Sequence, residues 1–110
     1  MANTFKNAMK SNVNNGSYDS LYTAPTGATS IILGLALTNK TTSAVTVKVQ
    51  ITDSAPSATI QLLEDVSIPA NTTLEVLGGQ KYVLETGDSL RVQAGTGTAI
   101  DAFLGVMERT

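Results

Sequence analysis

Val45-Thr46-Val47-Lys48-Val49-Gln50-Ile51-Thr52 alternates apolar and polar side chains without interruption. A strand turns successive side chains to opposite faces, so this period sends Val45, Val47, Val49 and Ile51 to a core and Thr46, Lys48, Gln50 and Thr52 to water. A helix would spread the same residues around its whole circumference. One wet face and one dry face is the mark of an antiparallel sheet, because crossover helices cover parallel sheets on both sides.

Working outward, the polar run Asn39-Lys40-Thr41-Thr42-Ser43 is a turn that joins this strand to an earlier one beginning at Ser30. There Ile31, Leu33, Leu35 and Leu37 are expected on one face, with Ile32, Gly34, Ala36 and Thr38 on the other. Downstream, Asp53-Ser54-Ala55-Pro56-Ser57 reads as a turn. The next strand starts at Thr59, and its adjacent Leu62 and Leu63 break alternation as a bulge would. Val66 and Ile68 continue it to Pro69, Leu74 and Val76 form a piece closed by Gly78-Gly79, and Tyr82 and Leu84 follow. Gly87-Asp88 turns into Leu90, Val92 and Ala94, and Gly95-Thr96-Gly97 leads to the last strand. In that strand Ile100, Ala102, Leu104 and Val106 share one face, and Asp101, Phe103, Gly105, Met107 and Arg109 share the other. About seven to nine short strands with turn signals between them predict an all-β chain, a single antiparallel β-sandwich or jelly roll spanning residues 18–110.

Residues 1–17, MANTFKNAMKSNVNNGS, differ in composition and read as an N-terminal arm. Phe5, Met9 and Val13 recur at i, i+4 and i+8, which lines one side of a short helix capped by Asn3 or Thr4. So short a helix needs a surface to fold against, which makes Phe5, Met9 and Val13 candidate partner contacts. Asn14-Asn15-Gly16-Ser17 marks the turn into the sandwich.

Composition removes whole classes of chemistry. The 110 residues include no cysteine and no histidine, so disulfides, thiolate or imidazole metal sites and His-dependent triads are excluded. The adjacent carboxylates, Glu64-Asp65 and Glu85 with Asp88, sit at turns, where solvated acids are ordinary; no catalytic pair is expected, nor any metal or cofactor. Net charge is −2 and the seven basic residues are scattered, which argues against a nucleic-acid partner. The longest apolar run, Ile31 to Leu37, is far short of the roughly 20 residues that cross a bilayer as a helix, and MANTFKNAMK has no apolar signal core, so no membrane role is expected and synthesis in the cytosol is. Asn15, Asn39 and Asn71 begin N-x-S/T triplets, which matter only in a secreted eukaryotic protein. Carbohydrate-binding sandwiches present exposed aromatics, and this chain has five in all: Phe5, Tyr18, Tyr22, Tyr82 and Phe103.

What remains is surface chemistry suited to assembly. Phe103 and Met107 flank Gly105 opposite the core face of the last strand, and Ile32, Gly34 and Ala36 occupy the matching side of the strand from Ser30. Exposed, these residues make an apolar patch that another chain approaches closely. The opposite expectation is that the arm packs over them.

The opening MANTFKNAM, the segments Leu21-Tyr22-Thr23-Ala24-Pro25-Thr26-Gly27 and Ser67-Ile68-Pro69-Ala70-Asn71, the run Val83-Leu84-Glu85-Thr86-Gly87-Asp88-Ser89-Leu90 and the close Met107-Glu108-Arg109-Thr110 together resemble a family of small virion structural proteins of marine tailed bacteriophages, cyanophages included. The close is more polar than the Leu-Glu-Ile-Thr expected of that family. The resemblance implies a β-sandwich accessory subunit of the virion without enzymatic activity, and it transfers no catalytic residue. A head decoration or cement protein bound to the major capsid protein is the leading expectation, with trimeric association by analogy. A tail, neck or fibre subunit is the alternative, and a receptor or carbohydrate-binding module a third.

Overall fold

The computed structural model describes residues 3–54, 58–78 and 80–110; Ala55, Pro56 and Ser57 of the expected turn, Gly79 of the Gly78-Gly79 pair, and the first two residues of the MANTFKNAM opening lie outside the described residues. Nine strands form among them: β1 (Asn3–Lys10), β2 (Asp19–Thr23), β3 (Thr29–Asn39), β4 (Val45–Thr52), β5 (Thr59–Ile68), β6 (Thr73–Glu75), β7 (Tyr82–Leu84), β8 (Ser89–Ala94) and β9 (Ile100–Arg109). One sheet runs β1-β9-β3-β6, with β7 also paired to β3, and the other runs β2-β8-β4-β5. Every strand pair in both sheets is antiparallel.

The pairing is nested: β4 with β5 innermost, then β3 with β6 and β7, β2 with β8, and β1 with β9 outermost. Such a ribbon, rolled until β9 reaches β3 and β8 reaches β4, is a jelly roll. Between its sheets lie the inward residues of the long strands, among them Leu35, Leu37, Val47, Val49, Leu90, Val92, Ile100 and Leu104, all buried. The β4 alternation that suggested the fold holds for Val45, Val47 and Val49, whereas Ile51 is half-buried and Gln50 is mostly covered. Pairing of β4 with β5 shifts register on either side of Val49. The expected break at Leu62-Leu63 is part of that irregularity, and Asp65 turns through a positive φ of 52° beside it.

Two short turns hold the end of the roll. Ala28 N–H donates to Pro25 O and Asp88 N–H to Glu85 O, and the third residue of each turn, Gly27 or Gly87, has φ near 81° or 86°. Both are type II positions that favour glycine, and at Gly87 a Cβ would come 2.8 Å from Ser54 Oγ. Asp88 is itself 8% exposed and spends its carboxylate on the amides of Ser54 (3.1 Å) and Glu85 (3.0 Å). It is a turn-builder.

The helical expectation for the arm is wrong. Residues 3–10 form strand β1, paired residue for residue with β9 from Asn3↔Arg109 to Lys10↔Ala102. A helix as short as this has nothing to hold it in water, whereas β9 offers a full row of backbone partners. Nor does the following segment detach: Val13 is wholly buried and donates its N–H to Ile100 O at 2.8 Å. Around it Asn12 N–H bonds Asp101 Oδ1 (3.1 Å), Lys40 bridges Asp101 (2.9 Å), and Asn14 N–H bonds Asp19 Oδ2 (2.7 Å). Lys40 and the Asn12 amide hold the Asp101 carboxyl below its ordinary pKa.

Candidate interaction surface

The two outer faces of the roll differ chemically. On the β2-β8-β4-β5 sheet, Arg91, Gln50 and Gln61 lie in line across three strands, Gln50 Nε2 donates to Gln61 Oε1 (3.3 Å), and Gln61 Nε2 donates to Tyr18 Oη (2.8 Å). Arg91 sits over the Tyr18 ring. This face is polar and knitted to itself.

The outer face of the other sheet is apolar. Register places Phe5 opposite Met107, Met107 opposite Ile31, and Ile31 opposite Val83, so four apolar side chains cross four strands in one row. A second row runs Met9, Phe103, Ala36 and ends at Glu75. Between the rows lie Asn7, Gly105 and Gly34, with Leu33 beside them. Phe5 is 72% exposed, Met9 66%, Val83 60%, Phe103 47% and Leu33 40%, and the sixth exposed large hydrophobic among the described residues, Ile60, lies on the other sheet. Strand spacing and rise give the patch on the order of 300 Å², the size at which apolar patches on soluble proteins are commonly functional. Shallow depressions flank Phe103, one toward Met9 and Thr38 and one toward Leu33 and Glu75.

Of the six candidate contacts, Phe5, Met9 and Phe103 stand exposed on this face and Met107 half-exposed among them. Val13 and Ile32 do not: both are 0% exposed core residues. For Ile32 the cause is a bulge, since pairing of β3 with β9 shifts between Ile32 and Gly34. One extra residue reverses inside and outside, so Ile32 enters the core and Leu33, expected there, is pushed out. The arm does not cover the patch; as β1 it widens it by one strand, adding Phe5 and Met9.

At the end of the sheet the inward face of β9 carries a charge. Glu108 is 6% exposed; its Oε1 takes the Lys6 ammonium at 2.9 Å and its Oε2 accepts the Tyr22 hydroxyl at 2.5 Å. Tyr22 has one proton to give, so Ser30 Oγ donates to Tyr22 Oη (2.8 Å). The Tyr22 and Lys6 bonds hold the Glu108 carboxyl below its ordinary pKa, while burial and the adjacent Glu108 push the Tyr22 hydroxyl up to about 12. A carboxylate whose pKa is lower folded than unfolded stabilises the fold above the unfolded value, near about 4.3, and that contribution is lost as pH falls through the folded value. Tyr22 has the opposite sign, its contribution present below about 10 and lost as pH rises through about 12. Wild-type protein is therefore expected to lose more melting temperature between pH 7 and pH 3 than Glu108→Gln does. Parallel losses in the two proteins would show that Glu108 does not carry this acid sensitivity.

Among the described residues no three carboxylates gather as a metal site would require. The expected carboxylate pairs resolve into exposed Glu64 and Asp65, facing Lys48 at 3.6 and 3.8 Å, and the turn containing Glu85 and Asp88. Asn39, one of the three glycosylation triplets, is fully buried, and its amide nitrogen donates to Ser43 O (2.8 Å) and Ile68 O (3.0 Å).

No protein-family model matches the sequence, and no curated protein matches it. Solved structures do. The chain is similar to a subunit of the Bacillus endospore appendages, a family of disulfide-linked pili, at 11% identity and TM-score 0.55 over 98% of this chain and 88% of that one. It is similar to a chain of infectious bursal disease virus, strain Gx, at 13% identity and TM-score 0.50 over 98% of this chain and 33% of that one. The VP2 subviral particle of infectious bursal disease virus gives 12% identity and TM-score 0.48 over 96% of this chain and 32% of that one. These neighbours are viral and pilus structural proteins, and at such identities the likeness is one of fold.

Proposed function

We propose that this chain is a non-enzymatic virion structural protein, a capsid decoration or cement subunit that lies on the head shell and binds the major capsid protein through the outer face of β1, β9, β3 and β7. The observation that carries the reading is the concentration of Phe5, Met9, Leu33, Val83 and Phe103 on one sheet face while the other sheet turns out a polar face. Burying such a patch drives association, and the polar face is suited to water. The resemblance of the sequence to virion proteins of marine tailed phages and the fold shared with a virus chain support the same reading. With no cysteine, the subunit forms no disulfide to its neighbours, unlike the disulfide-linked pili, so occupancy of a lattice is set by mass action.

The test is retention on phage heads. A Phe103→Ser, Val83→Ser double variant changes two exposed residues, so its melting temperature is expected within a few degrees of wild type while retention falls at least about ten-fold, as for loss of central contacts. Retention equal to wild type would reject this face as the attachment surface. Copy number separates locations: hundreds per virion for a head decorator, about a dozen or fewer for a tail, neck or fibre part.

A further inference from the structure

Rolling leaves each sheet with open edges, and three of the four are blunted. Strand β5 is broken by register shifts, with exposed Glu64 and Asp65 at the irregularity. Strand β2 is five residues long and carries its own shift between Ser20 and Tyr22. The edge beyond β3 is divided between β6 and β7, three residues each. Bulges, short lengths and charge are the usual means by which edges are kept from pairing. Strand β1 carries the exposed lysines Lys6 and Lys10 but differs in length and regularity: its eight residues run in unbroken register with β9, without proline, and among the described residues no strand pairs with its other side.

We propose that this edge pairs with β1 of a second copy, antiparallel about a two-fold axis, joining the two apolar faces into one sheet. An axis normal to the sheet puts one residue opposite its own copy, and the candidates near mid-strand are Lys6, Asn7 and Ala8. Centring on Lys6 sets the two Lys6 ammonium groups directly opposite, and centring on Ala8 sets Lys6 opposite Lys10 of the second copy. Like charges so placed are unfavourable. Centring on Asn7 opposes Asn7 to itself, Phe5 to Met9, Lys6 to Ala8 and Thr4 to Lys10. No lysine then stands directly opposite another, and Lys6 already holds Glu108 at 2.9 Å. The same register joins the apolar rows end to end: Val83, Ile31, Met107 and Phe5 of one copy continue into Met9, Phe103 and Ala36 of the next. This pairing stands apart from the capsid reading, because it uses the edge of the sheet and not its face.

The absence of cysteine makes the register directly testable on the full chain. Residues opposed in an antiparallel pair lie about 4.5–5.5 Å apart at Cα, within disulfide reach. Under mild oxidation Asn7→Cys is expected to cross-link into a covalent dimer, while Asn3→Cys, about 27 Å from its own copy in this register, stays monomeric. Both positions are exposed. In sedimentation over a concentration series, wild type is expected to reach dimer mass, Asn7→Lys to weaken the dimer up to about five-fold, and Phe103→Ser to leave it intact. Monomer throughout, trimer mass, equal cross-linking at positions 3 and 7, or loss of the dimer in Phe103→Ser would each overturn the proposal, the last by showing that the faces stack instead.

Discussion

Leu35→Asp is expected to leave no folded domain, while Leu33→Asp, two residues away, folds. Leu35 is 0% exposed at the middle of β3, opposite Leu104 of β9, which is equally buried. An aspartate there is a buried charge without a cation, and its cost, several kcal/mol, is comparable with the whole stability of a domain, about 5–15 kcal/mol. Leu33 is 40% exposed at the bulge, so a charge at that site stays in water and is expected to cost about 1 kcal/mol or less. Circular dichroism and thermal melts of the two variants decide the matter. Equal damage would mean that β3 has no bulge and that Leu33 and Leu35 share a face, as simple alternation has it.

Deletion of residues 1–15 is expected to lower the melting temperature by roughly 12–24 °C, the equivalent of about 3 kcal/mol in a domain of this size. Three losses add up. The buried Val13 side chain alone contributes about 1.5–3 kcal/mol, the pairing of β1 with β9 is stripped away, and Lys6 is removed from a carboxylate that is 6% exposed. A buried ion that loses its partner is costlier than a pair that never existed. Composition alone suggests a dispensable arm, for which the truncated domain would melt near the full-length value. A change of only a few degrees would restore that view and reduce the β1 pairing to an ornament of the sheet edge.

The difference between those two expectations shows what could be read along the chain. Strands β4, β8 and β9 were legible because each keeps a period of two against one dry face, and burial follows it at Val45, Val47, Val49, Leu90, Val92, Ala94, Ile100, Ala102, Leu104 and Val106. The placing of Phe103 opposite the core followed from the same rule. Phe5 and Met9 were picked out for a reason that does not hold, since a spacing of four is shared by one face of a helix and one face of a strand. The choice between them rests on β9, some ninety residues away, offering its edge. Nothing local signals that offer.

Local chemistry was enough to determine an all-β chain without histidine or cysteine chemistry, its turn at Gly87, and most of the inward residues of its sheets. These follow from side-chain period and backbone permission, which act between near neighbours. Tertiary structure alone decided that the roll is nested around β4 and β5, that a bulge exchanges Ile32 for Leu33, that β1 joins the sheet, and that Phe5, Met107, Ile31 and Val83 line up in one row. Each depends on which strands become neighbours and in what register. That choice is made by burial summed over the whole chain, so no single stretch contains it.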